Sequence, residues 1–187
     1  MAIDLCNRLV DNNLLRDDLL KRVEIMKTKP EDIYEICKAL SKTFDMSSES
    51  EAYEQMVKSK VRLDESVKLV DRENRDIYGL LMFCEYPISV GSPICVVNKG
   101  VADYLSHFTQ INGHSFVIDE RLRGTGIDKK MLFHNFDFLL KNYDFIWIAV
   151  ETSLKTHNYW QRLGFIEVFR IPEAVFYMMP LNKKLIS

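Results

Sequence analysis

The six residues FIWIAV (145–150) carry no polar side chain, and they constrain the fold of this chain more than any other stretch. A strand with one wet face alternates apolar with polar residues. A run without alternation is buried on both faces, so packed layers must lie above and below its sheet. Before it comes GIDKKMLFHNFDFLLKNY (126–143), a helix-periodic segment with Met131, Leu132, Phe136, Leu139 and Leu140 as its stripe. Before that, SFVIDE (115–120) reads as another strand. Strand, helix and doubly buried strand in succession predict an α/β sheet with helices on both faces.

The flanking segments extend that sheet. Residues 3–20 predict a short amphipathic helix, with Ile3, Leu5, Leu9 and Val10 on one side, and KRVEIMK (21–27) alternates as a half-buried strand does. Pro30 opens PEDIYEICKALSKTF, whose Ile33, Ile36, Cys37, Leu40 and Phe44 fall at helical spacing behind acids that suit the helix dipole. A more polar helix capped by serine is expected over 47–61. SVKLVDREN (66–74) and DIYGLLMFCEY (76–86) predict an antiparallel hairpin. HNYWQRLGF predicts a short helix closed by Gly164 in the left-handed conformation, and IEVFR and AVFYMMPL predict two final strands. The expected organisation is an N-terminal helical extension (1–20) and one domain (21–187) with a long insert at 88–113, in which VADYLSHFTQ is the helical stretch.

Charge and cysteine usage exclude several functions. The net charge is −2 and no block of basic residues occurs, so the chain lacks the electrostatic footprint of a nucleic-acid binder. The first twenty residues carry acids from the fourth position and no continuous apolar core, which argues against a signal peptide or a membrane span and predicts a cytoplasmic protein. Cys6, Cys37, Cys84 and Cys95 are widely spaced among apolar neighbours without a C-x-x-C pair, so reduced, buried thiols and no metal site are expected.

Between the strand at 115–120 and the helix at 126–143 lies RLRGTGIDKK (121–130). A glycine turn feeding a helix N-terminus points several backbone N–H groups at one spot and adds the positive end of the helix dipole, so an anion fits there. The loop reads equally as a plain turn, since it is neither a G-x-x-x-x-G-K-[ST] loop nor a G-x-G-x-x-G fingerprint.

RGTGI (123–127) after SFVIDE, and YWQRLGF (159–165) after FIWIAV, give the chain a resemblance to the GCN5-related N-acetyltransferases over roughly residues 20–181. The first segment looks like that family's acetyl-CoA pyrophosphate loop, and the second is similar to its Y-E-K-L-G-F helix end. The resemblance implies a mixed central sheet whose two central strands, SFVIDE and FIWIAV, splay apart to admit the pantetheine arm of acetyl-CoA. It places the thioester carbonyl near the backbone N–H groups of Val117 and Ile118. The cofactor-binding residues it implies are Phe116, Val117, Ile118, Arg123, Gly124, Thr125, Gly126, Ile127, Asp128, Ser153 and Trp160. The amine of an acceptor would attack the thioester directly, without a covalent enzyme intermediate and without a metal.

The sequence departs from that family pattern at several places. The six-residue loop pattern fits from Arg121 by letters, but the following apolar helix positions place its first arginine at Arg123. Asp128 then stands where the family has glycine or alanine. It is expected to face outward, where the dipole tolerates it; facing inward, its carboxylate would oppose the pyrophosphate unless Arg123, Lys129 or Lys130 compensates. Trp160 occupies the place of a tyrosine that protonates the departing thiolate, and an indole N–H is no acid. Its neighbour Tyr159 is the replacement candidate, although it points about 100° away around a helix. Ser153 stands where an asparagine contacts the cofactor in many members. Glu120 and Glu151, at the ends of the two splayed strands, are the candidate bases, with His114 and Asp119 behind them and water as an alternative proton acceptor. Tyr104, His107 and Phe108 in the insert are the expected lining of an acceptor pocket. The expected function is acetyl-CoA-dependent N-acyl transfer to a primary amine of a small molecule or peptide. The alternative is a non-catalytic domain of that fold that binds an acyl-CoA or a partner protein. The N-terminal helix offers an apolar face to its own domain or to a second subunit, which would make a homodimer.

Overall fold

A computed structural model describes residues 16–85 and 99–181. Residues 16–22 form helix α1, followed by β1 (Val23–Lys27), α2 (Ile33–Thr43) after a 3-10 turn at Pro30–Asp32, and α3 (Glu49–Lys58). Then come β2 (Val61–Asp71), β3 (Ile77–Cys84), α4 (Lys99–Leu105) and β4 (Gln110–Ile118). The chain continues through α5 (Ile127–His134), α6 (Phe136–Asn142), β5 (Phe145–Glu151), α7 (His157–Arg162), β6 (Ile166–Arg170) and β7 (Ala174–Pro180). The strands make one mixed sheet in the order β1-β2-β3-β4-β5-β7-β6. β4 and β5 are its parallel pair, and the crossover through α5 and α6 joins them.

Helices cover both faces, as the doubly buried run requires. On one face α5 and α6 bring Met131, Leu132 and Leu139 onto Leu69, Leu81, Phe83, Ile146 and Ile148. Along the other, α2 and α3 bury Ile36, Cys37, Leu40, Ala52 and Met56 against Leu80 and Met82. Beside them α4 sets Ala102 and Leu105 on Phe145, Trp147 and Phe176. The strand alternation is visible in β3, where Leu81 and Phe83 serve one face and Leu80 and Met82 the other. Cys37 and Cys84 are buried free thiols, and burial pushes the Cys37 thiol pKa up. Cys6 and Cys95 lie outside the described residues, as do most of the expected N-terminal helix and residues 86–98 of the insert region.

Several elements differ from the sequence expectation. Helix 126–143 is two helices, broken at the buried Asn135, whose Nδ2 donates 2.8 Å to the Glu65 carbonyl. That carbonyl sits in an irregular stretch of β2, between Arg62 and Val67, where the register shifts. The Glu65 carboxylate accepts from Tyr143 Oη at 2.7 Å and pairs with Arg62 at 3.0 Å, while burial raises its pKa. After the break the helical phase changes, so Leu140 is exposed although Leu139 is buried. β2 begins at Val61 and β4 at Gln110, both earlier than composition indicates, because Val61 and Arg62 pair with Cys84 and Phe83 of β3, and Gln110 to Gly113 pair with Phe145 to Ile148 of β5. Lys21 and Arg22 belong to α1, so β1 starts two residues later than expected.

Candidate active site

β4 and β5 are paired from Gln110 opposite Phe145 to Gly113 opposite Ile148 and then part, although β4 runs on to Ile118 and β5 to Glu151. The cause lies on the other edge of β4. Ser115 pairs with Met82 and Gly113 with Phe83, so His114 is an extra residue, a bulge that bends the strand away from β5. A cavity of about 300 Å³ fills the gap. Gly113 to Phe116 and Ile148 to Glu151 form its sides, Leu81, Phe83 and Leu132 lie beneath, and Trp160 and Phe165 close it. Phe44 and Leu154, both half exposed, stand at its mouth. Ala149, the exposed member of FIWIAV, lies beyond the last β4–β5 pair, so β4 no longer flanks it, although β7 still pairs with it through Phe176. The Asp119 N–H donates 2.8 Å to the Tyr78 carbonyl on β3. By alternation the Val117 N–H also faces β3, leaving the N–H groups of Phe116 and Ile118 directed at the gap.

The glycine loop stands next to the far end of β4. Gly124 (φ 73°) and Gly126 (φ 79°) adopt the left-handed conformation that glycine alone takes without strain. Gly126 is the N-cap of α5. Thr125 braces the turn: its hydroxyl donates 2.7 Å to the Leu122 carbonyl and accepts the Ile127 N–H at 3.4 Å. The N–H groups of Gly124, Gly126, Asp128 and Lys129 have no acceptor among the described residues, and the α5 dipole adds partial positive charge beside them. Arg16 Nη2 donates 3.3 Å to the Arg123 carbonyl, so α1 brings a cation to the loop that no motif signalled. The Ile127 side chain is core, and only its backbone belongs to the loop. Arg121 holds Asp119 through two bonds of 2.8 and 2.9 Å and keeps its carboxyl below the usual range, so Asp119 is a cap and a weak base.

Phe116 on β4 carries the two aromatics of α7, with ring centroids 5.7 Å away for Trp160 and 6.2 Å for Tyr159. Trp160 lines the cavity; Tyr159 does not. The Tyr159 hydroxyl is buried, and burial together with the adjacent Asp128 carboxylate raises its pKa far above the phenol range. Asp128 is half-buried near the Tyr159 hydroxyl, which has no hydrogen-bond partner among the described residues, and Tyr159 stands outside the cavity in which an acid would meet the sulfur.

The two candidate bases are separated. Glu151 lines the cavity mouth, with Ser153 Oγ 3.4 Å from its Oε2. Glu120 lines a second cavity, of about 400 Å³, with Val117, Ile118, Arg123 and the end of α2. His114, at the bulge, lines the first cavity with its ring nitrogens 2.8 Å from Ser115 Oγ and 3.0 Å from Ser59 Oγ, and burial lowers its pKa, favouring the neutral imidazole. Tyr104, His107 and Phe108 line neither cavity. They precede Gln110 at the end where the strands are still joined, and Phe108 packs on the α4 layer. The residues at the mouth are instead Phe44 and Leu154, whose exposed apolar character gave no sequence signal. No group of three potential metal-ligating side chains occurs among the described residues, and none of their helices is long and apolar enough to cross a membrane.

No family model matches the sequence, and no curated protein matches it either. Solved structures do. The chain is similar to the GNAT family N-acetyltransferase YhbS from Escherichia coli, solved with CoA: 18% identity, 87% of this chain and 83% of that chain covered, TM-score 0.60. It is also similar to NAA60 of Arabidopsis thaliana with a bisubstrate analogue, at 13% identity over 84% of this chain and 97% of that chain, TM-score 0.60. A chain of the NatC complex bound to Gag peptide and CoA gives 16% identity over 86% and 99%, TM-score 0.56. The sheet with its parted parallel pair defines the class: the chain has the fold of the GNAT N-acetyltransferases.

Proposed function

We propose that the chain is an acetyl-CoA-dependent N-acyltransferase that moves the acetyl group directly to a primary amine of a small molecule or peptide. The observation that carries this reading is the pairing of a strand gap with a glycine loop beside it: an elongated thioester and its pyrophosphate need those two features at once. The free N–H groups of Gly124, Gly126, Asp128 and Lys129 would hold the pyrophosphate, with Arg16, Arg123, Lys129 and Lys130 adding charge. The N–H groups of Phe116 and Ile118 would bind the arm along β4. Glu151, the carboxylate at the mouth, would take the proton of the incoming ammonium and leave the neutral amine that attacks. The leaving thiol, with an ordinary pKa of about 8.5, departs without a dedicated acid, so Trp160 in place of a tyrosine is compatible with turnover. The peptide and bisubstrate ligands of the NatC and NAA60 structures support a peptide-like or small amine as acceptor.

Titration calorimetry with CoA and acetyl-CoA tests the reading; absence of binding at millimolar ligand ends it. Gly126→Trp should weaken CoA binding at least about 100-fold by filling the cradle, with an unchanged circular dichroism spectrum. The second reading, a non-catalytic CoA-binding domain, is motivated by Trp160, not Tyr159, lining the cavity. Thiol release from acetyl-CoA across a broad amine panel separates the two, because turnover with any amine rejects the second.

A further inference from the structure

The deep part of the cavity between the parted strands is hydrocarbon. Leu81, Phe83, Leu132, Ile146, Ile148 and Phe165 line it, and none is more than 5% exposed. Ile146 pairs with Ile111, below the point at which the strands separate, so the floor reaches under the closed part of the sheet. Gly113, at the last strand pair, helps keep it open, since a Cβ there would meet Ile148 Cγ2 at 2.7 Å. The exposed polar members, Glu151 and Thr156, stand at the mouth.

We propose that this floor is an acyl-chain pocket and that the site takes straight-chain acyl groups longer than acetyl; the proposal rests on the CoA reading above. The volume sets the length. A cavity of about 150 Å³ holds the six carbons of benzene, so one twice that size takes roughly a dozen heavy atoms. The cysteamine end and an acetyl group account for roughly seven of these, leaving about five, so hexanoyl, with four methylenes more than acetyl, is the longest even-numbered chain that fits. With acetyl alone the floor side chains face empty space and lose the dispersion contacts that a longer chain restores. The transfer step is unchanged by chain length: Glu151 passes the ammonium proton to solvent, the C–N bond forms as the acyl C–S bond breaks, and the second proton, lost by the amine on acylation, goes to the thiolate.

Calorimetry on the wild-type chain with CoA, acetyl-, butyryl-, hexanoyl- and decanoyl-CoA tests this without knowledge of the acceptor. Affinity should rise from acetyl to hexanoyl by at least about tenfold, within a ceiling near fourfold per buried methylene, and fall again at decanoyl. Leu132→Phe should fill the floor and collapse the hexanoyl-to-acetyl affinity ratio toward one. If CoA binds and the series is flat or falling from acetyl onward, the pocket is overturned while the CoA reading stands. A hexanoyl preference that survives Leu132→Phe overturns the assignment to this floor. If CoA itself does not bind, both proposals fail together.

Discussion

The two ends of the β4–β5 pair use similar side chains in opposite ways. Where the strands are joined, Phe145, Trp147 and Phe176 are buried beneath α4; Trp147 and Phe176 stack at 6.1 Å, and Phe176 meets Phe169 at 4.4 Å. Beyond Gly113, Phe116 and Trp160 stay half-buried, and Phe44 and Leu154 are 50% and 47% exposed. Aromatic and aliphatic residues are present at both ends, so composition does not separate core from site. One inserted residue, His114, does. It ends the strand pairing, and apolar side chains beyond it become the walls of a cavity instead of filling for one another.

The contrast predicts unequal penalties for truncation. Phe145→Ala at the joined end should lower unfolding free energy by about 3–5 kcal/mol, as for other fully buried aromatics, whereas Phe116→Ala at the open end should cost less than about half of that. Urea unfolding of the two variants checks this, and equal losses would mean that the open end is packed as core. Next in size, Glu151→Gln should reduce kcat/KM for any accepted amine by about 10²–10⁴-fold, with CoA affinity unchanged. An intact rate would move proton removal to water or to Glu120. The smallest effect concerns the bulge. Burial lowers the pKa of His114, so the unfolded chain takes its proton more readily than the fold does. His114 therefore leaves stability untouched above the ordinary imidazole pKa of about 6.5 and lowers it as pH falls from there to its folded pKa. His114→Gln should flatten that part of the stability–pH curve; an unaltered slope would assign the acid sensitivity elsewhere.

Much of the architecture was legible because it follows from short-range pattern. The continuous apolar run at 145–150 demanded two covered faces, and the helical stripe at 33–44 and the turn at Gly164 needed no distant partner to be read. The glycine loop was legible for the same reason, since positive φ at Gly124 and Gly126 is a local property. What was not legible depends on residues far apart in the chain. Asn135 breaks a helix because of the Glu65 carbonyl seventy positions away. The Tyr159 hydroxyl is buried outside the cavity, Arg16 arrives from α1, and Phe44 reaches the cavity mouth from the α2–α3 connection. Tyr104, His107 and Phe108 line neither of the two cavities, and loop length indicates covering without indicating which end of the sheet is covered.

By itself, then, the sequence determined a mixed sheet clothed in helices and a glycine turn that opens a helix, since periodicity and φ preference act within a few residues. Only the tertiary structure decided where the central strands part, how deep the cavity between them runs, and which carboxylate faces it. Those properties arise from the pairing of β4 with β3 on one edge and its failure to pair with β5 on the other, and no segment of the chain specifies that alone.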